Sequence, residues 1–517
     1  MKKYYFILLI IILSNCASIK NHNAHLNDLI PEEKLKSDVD FTYSKMQNLH
    51  PKLHWYISQK DLDYKFDSLK STINKPMTSF DFYTKLSPIV SSVREGHMIV
   101  IPPIKQFTKS ETAALVKKGI SPFGQFEFEI FNDKMYVVKN KSYNKKIKIG
   151  TEVIAINDKK VSEYLSKFKN RFSSDGLNQT FKKNRLARSF NLFFTLENGI
   201  KDSLKYDFKF NDSIKTVSIL RKVVDTTGQN IKKTKTKLSD FEKAKKKSVD
   251  KIKDIYGYDL ISKEYNRKLI FLEKDSAIAV IKIKGFSIGD SDRCYEEMFS
   301  KIEYWKSKTL IIDLRNNPGG RLNEIADLYS YLSEKPFIFM DKAEVTKKSS
   351  LLHADYFKGG SIFSKMLRGL AAPIYYSFQY FRVHKNTNGN YFYNTENKLT
   401  QIKKDAFKGK IYVLINGGSF SASSIISSNL KGSKRAFFVG EETGGAFNGT
   451  VAGQMPTIKI PDSKLNLKLG LTACIPFHKT DIEGRGIFPD KEILPTLEDR
   501  INGNDPEMNW ILQDLKK

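Results

Sequence analysis

The sequence predicts a multidomain α/β protein, and three stretches of patterning carry that expectation. From Lys263 to Leu494, short apolar runs alternate with amphipathic segments, as strands and helices do in a layered α/β core. From Pro31 to about Val93, apolar residues recur at helical spacing. From Gly119 to about Val223, they alternate at strand spacing. A chain of 517 residues has room for several such units.

Each element follows in order. Lys2 and Lys3 precede an apolar run, Tyr4–Leu13, that is too short to span a bilayer, so residues 1–15 read as a signal segment. Leu13-Ser14-Asn15-Cys16 resembles the lipobox of bacterial lipoproteins, which implies cleavage before Cys16 and a diacylglycerol thioether on its sulfur. Residues 16–30 are a polar tether. Residues 31–115 form a helical domain: Leu35, Val39, Tyr43 and Met46 share one face, and Leu62, Phe66 and Leu69 share another. Ser79 is the expected N-cap of a helix carrying Phe82, Tyr83 and Leu86. Residues 116–225 form a β-domain. Its segment GTEVIAINDKKV (150–161) is similar to the glycine, strand and Ile-Asn turn of bacterial PDZ domains. Residues 226–262 are Lys-rich and read as a linker or exposed helical arm. Residues 263–500 hold the α/β core, with TLIIDL (309–314), IYVLI (411–415) and AFFVG (436–440) as buried strands. Residues 340–405, rich in Tyr, Phe and Gly, are expected as an irregular insert of the lid or binding kind. Residues 501–517 are left as a tail.

Composition removes some function classes. The net charge is +29, but Lys and Arg are spread along the chain rather than gathered on a nucleic-acid-binding motif. Nucleic acid is therefore not an expected partner. The charge reads as general surface basicity that favours anionic envelope surfaces or acidic substrates, and localisation in the cell envelope through the N-terminal lipid is expected. Cys294 and Cys474 have no catalytic signature around them and read as small buried hydrophobes. His50 and His54 lack the glutamate of a zinc-peptidase helix. No metal or organic cofactor is implied.

The chemistry gathers on three motifs. In SFSASSIISSNL (419–430), a cluster of small hydroxyl residues opens a helix directly after a strand and the turn Gly417-Gly418. A serine there sees free N–H groups and the positive end of the helix dipole, the setting that a nucleophile and an oxyanion hole require. TLIIDLRNNPGG (309–320) carries a strand into a glycine turn whose backbone can approach a ligand. REGHMIV (94–100) places His97 after Gly96 and before an apolar strand. His97 has the ordinary pKa of a general base, and Ser421 is the nucleophile such a base would activate.

With VGEETGG (439–445) and EGRGIFPD (483–490), these motifs resemble, in their order and approximate spacing, the carboxyl-terminal-processing and tricorn-type serine peptidases. The resemblance implies a ClpP/crotonase-like α/β catalytic core, an N-terminal helical domain and a PDZ-like domain between them. It implies an exported serine endopeptidase that cleaves peptide or protein substrates through an acyl-enzyme. One variant of the family uses a lysine base, and the matching position here is Ala446. The tricorn-like variant implies Ser421, His97 and Glu483 as the catalytic set. That variant places a serine before the histidine, where this chain has Gly96. Backbone N–H groups of Gly319 or Gly320 and of Ala422 are the expected oxyanion donors. A second reading is a non-catalytic binding protein on the same scaffold, with the aromatic segment 374–394 lining an apolar groove. The sequence leaves substrate preference and oligomeric state open.

Overall fold

The computed structural model describes residues 19–223, 240–272, 277–393 and 397–517. The expected signal segment, Cys16 and residues 224–239 of the basic linker lie outside the described residues.

A short helix, Ile19–Ala24, lies within the expected tether, and three longer helices follow it: α1 (Glu32–Leu49), α2 (Gln59–Ser71) and α3 (Ser79–Ser91). Their apolar stripes, including Leu35, Val39, Leu62, Phe66, Phe82 and Leu86, close on one another as expected. The start of α3 differs by one residue. Thr78 is the N-cap and forms a capping box with Asp81, while Ser79 turns its hydroxyl to the carbonyl of Ser463. Strand β1 (Ile99–Ile101) leaves this domain and pairs antiparallel with a strand far along the chain, placing Ile99 opposite Lys468. That pairing fixes the residues just before β1, including His97, over the α/β core.

The β-domain is an antiparallel sheet of β2 (Phe126–Phe131), β3 (Lys134–Asn140), β4 (Glu152–Ile156), β5 (Ser203–Phe210) and β6 (Ser213–Leu220), in that order. Two helices cover one face: α4 (Val161–Lys169) and α5 (Thr180–Asn198). Their Phe168, Phe190 and Phe194 bury against Val137, Tyr206 and Phe208. The loop between α4 and α5 leaves this domain and runs, largely buried, between the helical domain and the core. Ser173 donates to the Ser91 carbonyl there, and Asn178 donates to the Thr443 carbonyl.

The core sheet has the order β7 (Arg267–Phe271), β8 (Ile278–Ile283), β9 (Thr309–Asp313), β10 (Lys410–Ile415), β11 (Phe437–Gly440), β12 (Lys491–Glu492), parallel except for β7. Its strands read as near-continuous apolar runs because both faces are covered. Ala279, Ile281, Leu310, Ile312, Ile411 and Val413 point to the main core. Val280, Ile311, Tyr412 and Leu414 point to the other face. Helices α6 (Asp240–Tyr256), α7 (Ser291–Tyr304), α8 (Leu322–Leu332) and α9 (Ala422–Gly432) contribute to the main core. The expected linker or helical arm is helix over Asp240–Tyr256, and its end is packed rather than exposed: Ile255 of α6 is buried in this core because it faces α7. The expected tail also folds. Helix α10 (Pro506–Asp514) seats Ile511 on the second face, and Arg315 clamps Asp505 through two hydrogen bonds of 2.7 and 2.8 Å.

The segment 340–405 is not irregular. It contributes strands Ala343–Val345, Val383–Lys385 and Tyr391–Tyr393 to a five-stranded sheet that includes Thr450–Ala452 and Thr472–Cys474. It also carries a long helix, α11 (Ile362–Phe381). Of the aromatic segment 374–394, Ile374, Phe378 and Phe381 face outward on this helix, Tyr375 and Tyr376 are half-buried, and Phe392 on the strand lines a cleft.

Candidate active site

Ser421 sits where the strand-to-helix turn was expected to place it. Strand β10 ends at Ile415, the turn 416–420 follows, and α9 starts at Ala422 with Ser421 at its N-cap. Ser421 has φ 58° and ψ −121°, a strained conformation for a residue with a Cβ. The strain is held by the neighbouring turn. Phe420 N donates to the Asn317 carbonyl at 3.0 Å, and Ser423 Oγ donates to the same oxygen at 3.0 Å. Gly319 has φ 95°. A Cβ on it would lie 2.7 Å from Ala422 N, Phe420 O and Ser421 Cβ, so only glycine lets the two turns meet.

His97 reaches this serine across the domain boundary. Its Nε2 is 3.0 Å from Ser421 Oγ, and its ring packs on Phe420 at a centroid distance of 4.7 Å. On the opposite side, Nδ1 is 2.9 Å from Thr450 Oγ1. The Thr450 hydroxyl donates in turn to Glu95 Oε1 at 2.8 Å, and Val451 N donates to Glu95 Oε2 at 3.0 Å. The hydroxyl can donate to only one group, and Glu95 takes that bond. Thr450 therefore accepts from Nδ1–H, which leaves the Nε2 lone pair facing Ser421. This tautomer is assigned from the network.

A second buried carboxyl group braces the arrangement. Asp175, on the loop between α4 and α5, accepts from Gly96 N at 2.8 Å and from Ala446 N at 3.3 Å. Glu95 and Asp175 are 2 % and 0 % exposed. Burial raises the pKa of both, and repulsion by Glu95 raises Asp175 further. Burial pulls His97 down to about 4, against the attraction of Asp175. Glu95, His97 and Asp175 bring donor atoms within 4.8 Å of one another, a spacing a cation can bridge. The N–H groups of Gly96, Ala446 and Val451 and the Thr450 hydroxyl already donate to these carboxylates, which argues against a cation there.

Not every expected residue joins this cluster. Glu483 accepts from Asn448 Nδ2 at 2.9 Å on the rim of a cleft, and the carboxyl group at the Nδ1 side of His97 is that of Glu95. The loop 480–483 is tied to Asn448, whose Oδ1 also accepts from Thr480 N, and this tie holds Glu483 at the rim. Gly319 N donates to Asn317 Oδ1 at 2.9 Å and is committed there. The N–H groups of Gly320 and Ala422 have no acceptor among the described residues. Ala446, at the position of the family's lysine, is buried and brings only its backbone N–H to the site.

Glu95, Thr450 and Asp175 were not foreseen. Glu95 could have been noticed as the acid two residues before the histidine. Thr450 and Asp175 carry no local signal, because only the folded topology brings them to His97. The cleft beside the site has a volume of about 970 Å³ and is lined by His50, Trp55, Phe392 and Lys479, with Asn448 and Glu483 on the side of the site. His50 is buried there without a hydrogen-bond partner among the described residues, and burial lowers it to about 3.

Residues 277–493 match the profile of Peptidase family S41. Over these residues the chain is similar to peptidase family S41. The segment contains Ser421 and Thr450, while His97, Glu95 and Asp175 come from outside it. The tail-specific protease of Haemophilus influenzae is 28% identical to the chain over 174 residues, which is 34% of this chain and 18% of that protein. The chain thus spans less than a fifth of that curated relative. Mature CPAF has a similar fold, with a TM-score of 0.58 and 14% identity over 92% of this chain and 96% of that one. The structure of mature CPAF complexed with lactacystin also gives a TM-score of 0.58, with 14% identity over 94% of this chain and 98% of that one. The S41 segment is therefore set within a mixed α/β multidomain fold of the CPAF kind.

Proposed function

We propose that the protein is a serine endopeptidase that hydrolyses peptide bonds through an acyl-enzyme on Ser421. The observation that carries this reading is the unbroken chain from Glu95 through Thr450 and His97 to Ser421 Oγ. Ser421 Oγ is a weak nucleophile until its proton leaves. His97 Nε2 takes that proton as the bond to the scissile carbonyl forms, and later returns it to the leaving amine. The imidazolium made in between is held by Thr450 and by the charge of Glu95. The hydroxyl that the tricorn-like pattern places before the histidine is here supplied by Thr450. Positive charge stays on His97, and Glu95 acts as a positioning residue through Thr450. The oxyanion meets Ala422 N–H at the start of α9 and the N–H of Gly320.

The finer assignments belong to the same reading. We place the core among ClpP/crotonase-like folds, because Ser421 lies at the carboxyl end of a parallel strand with a glycine turn beside it. The β-domain is assigned as PDZ-like. Its edge strand β6, unpaired on its outer side among the described residues, suits capture of an extended peptide by strand addition, and its outgoing loop delivers Asp175 to the site. The peptide occupies the cleft lined by His50, Trp55 and Phe392. Attachment to the cell envelope through a lipid on Cys16 completes the proposal. Incubation with an unfolded protein such as casein tests it: new N-termini form with the wild type and not with Ser421→Ala. Absence of cleavage by folded wild type, together with tight retention of an apolar ligand, would support the binding-protein reading instead.

A further inference from the structure

Helix α11 (Ile362–Phe381) is turned inside out. Its inward stripe is Ser364, Arg368, Ala372, Tyr375, Gln379 and Arg382, a mostly polar set. That stripe is well fastened. Arg368 donates to the carbonyls of Lys358 and Tyr356, Tyr375 stacks on Tyr356 at 4.0 Å, and the Arg382 guanidinium lies over the Tyr393 ring at 4.5 Å. The outward stripe holds Phe363, Leu367, Leu370, Ile374, Phe378 and Phe381, all exposed. Leu370 and Ile374 at its centre are 80 % and 76 % exposed. At about 100° per residue these six fall within an arc of about 80°. A contiguous apolar face of this length is rare on a monomer that stays in water.

We infer that this face lies in the headgroup region of a bilayer containing anionic lipid. The helix contains Lys365 and Arg368 and not one Asp or Glu; Lys347, Lys348 and Lys385 flank it in sequence, while the flanking Lys358 is paired with Asp355 at 3.0 Å. A second copy of this chain is a poor occupant. Each copy carries a net charge of +29, and the helix offers its twin no carboxylate to pair with. Anionic lipid supplies both an apolar phase for the stripe and negative charge for its flanks. Among the described residues no helix is long and apolar enough to cross a membrane, so α11 lies along the surface rather than spanning it. The inference is independent of whether Ser421 is a nucleophile.

The test uses the full chain with Cys16→Ser, so that no acyl anchor can form, and an environment-sensitive fluorophore on Leu370→Cys. The same fluorophore on Asp212→Cys, in the exposed β5–β6 hairpin, is the control. With phosphatidylcholine vesicles containing phosphatidylglycerol, the emission at 370 moves to the blue and is quenched by lipids brominated on their chains, while 212 is unchanged. High salt or vesicles of phosphatidylcholine alone weaken the effect. Leu370→Glu with Ile374→Glu lowers vesicle affinity, read at a label on Phe363→Cys, by about tenfold or more. No quenching at 370 in anionic vesicles would overturn the inference. A blue shift without vesicles that grows with protein concentration would also overturn it and make the face a copy-to-copy contact.

Discussion

Replacing Thr450 by Val probes the relay with little change of shape. The side chain keeps its volume and loses its hydroxyl. Two hydrogen bonds disappear: Nδ1–H to Oγ1 at 2.9 Å and Oγ1–H to Glu95 at 2.8 Å. The second exists equally before and during reaction, so its loss acts mainly on stability. The first strengthens when His97 becomes charged, and a hydrogen bond to a charged group contributes about 1.5–3 kcal/mol. At about 1.4 kcal/mol per tenfold, kcat/KM should fall by about 10- to 150-fold. Glu95 Oε1 lies 3.4 Å from Nδ1, close enough to recover part of the loss, which favours the lower half of that range. The assay is kcat/KM on a casein-derived peptide, with the melting temperature measured alongside. Thr450→Ser restores the hydroxyl and should recover most of the rate. A folded Thr450→Val within threefold of wild type would refute the relay.

Other predictions follow from the same geometry. Glu95→Gln should cost more than Thr450→Val, whereas Glu483→Gln should change kcat by less than about fivefold, because Glu483 bonds Asn448 and not His97. Burial lowers His97 to about 4, so the base is already neutral at pH 5–6, where an ordinary histidine would be largely protonated. The rate of serine phosphonylation should therefore hold from neutral pH down to about 5 and fall only as pH drops toward 4; a midpoint near 6.5 would contradict the buried site. Gly319→Ala forces a Cβ to within 2.7 Å of Ser421 Cβ and should reduce labelling by at least about tenfold while lowering the melting temperature. Arg267 and Glu324 form an ion pair that is 0 % exposed on both sides, so Glu324→Ala should destabilise the core by about 3–5 kcal/mol in denaturant unfolding.

The parts of the fold legible in the sequence were those with strong periodicity. The stripes of α1, α2 and α3 and the apolar strands at 309–314 and 411–415 declare themselves through local pattern. Ser421 and His97 were legible because a glycine turn before a helix, and a histidine before a strand, leave local marks. Thr450 and Asp175 were not, since each reaches His97 only through long-range topology. Glu483 was assigned by resemblance, and the bonds of Asn448 decide its actual place. Helix α11 was missed for a physical reason: its apolar stripe faces outward and its inward stripe is mostly polar, the reverse of the pattern that marks a packed helix. The C-terminal helix was missed because a short amphipathic segment shows its purpose only against the sheet face it covers.

The most direct test of the central claim is reaction of the folded protein with a fluorophosphonate, followed by mass mapping of the modified residue. The account predicts a phosphonyl group on Ser421 in the wild type, no adduct in Ser421→Ala, and a strongly slowed reaction in His97→Ala. A folded wild type that stays unmodified, or that reacts at the same rate without His97, would contradict it.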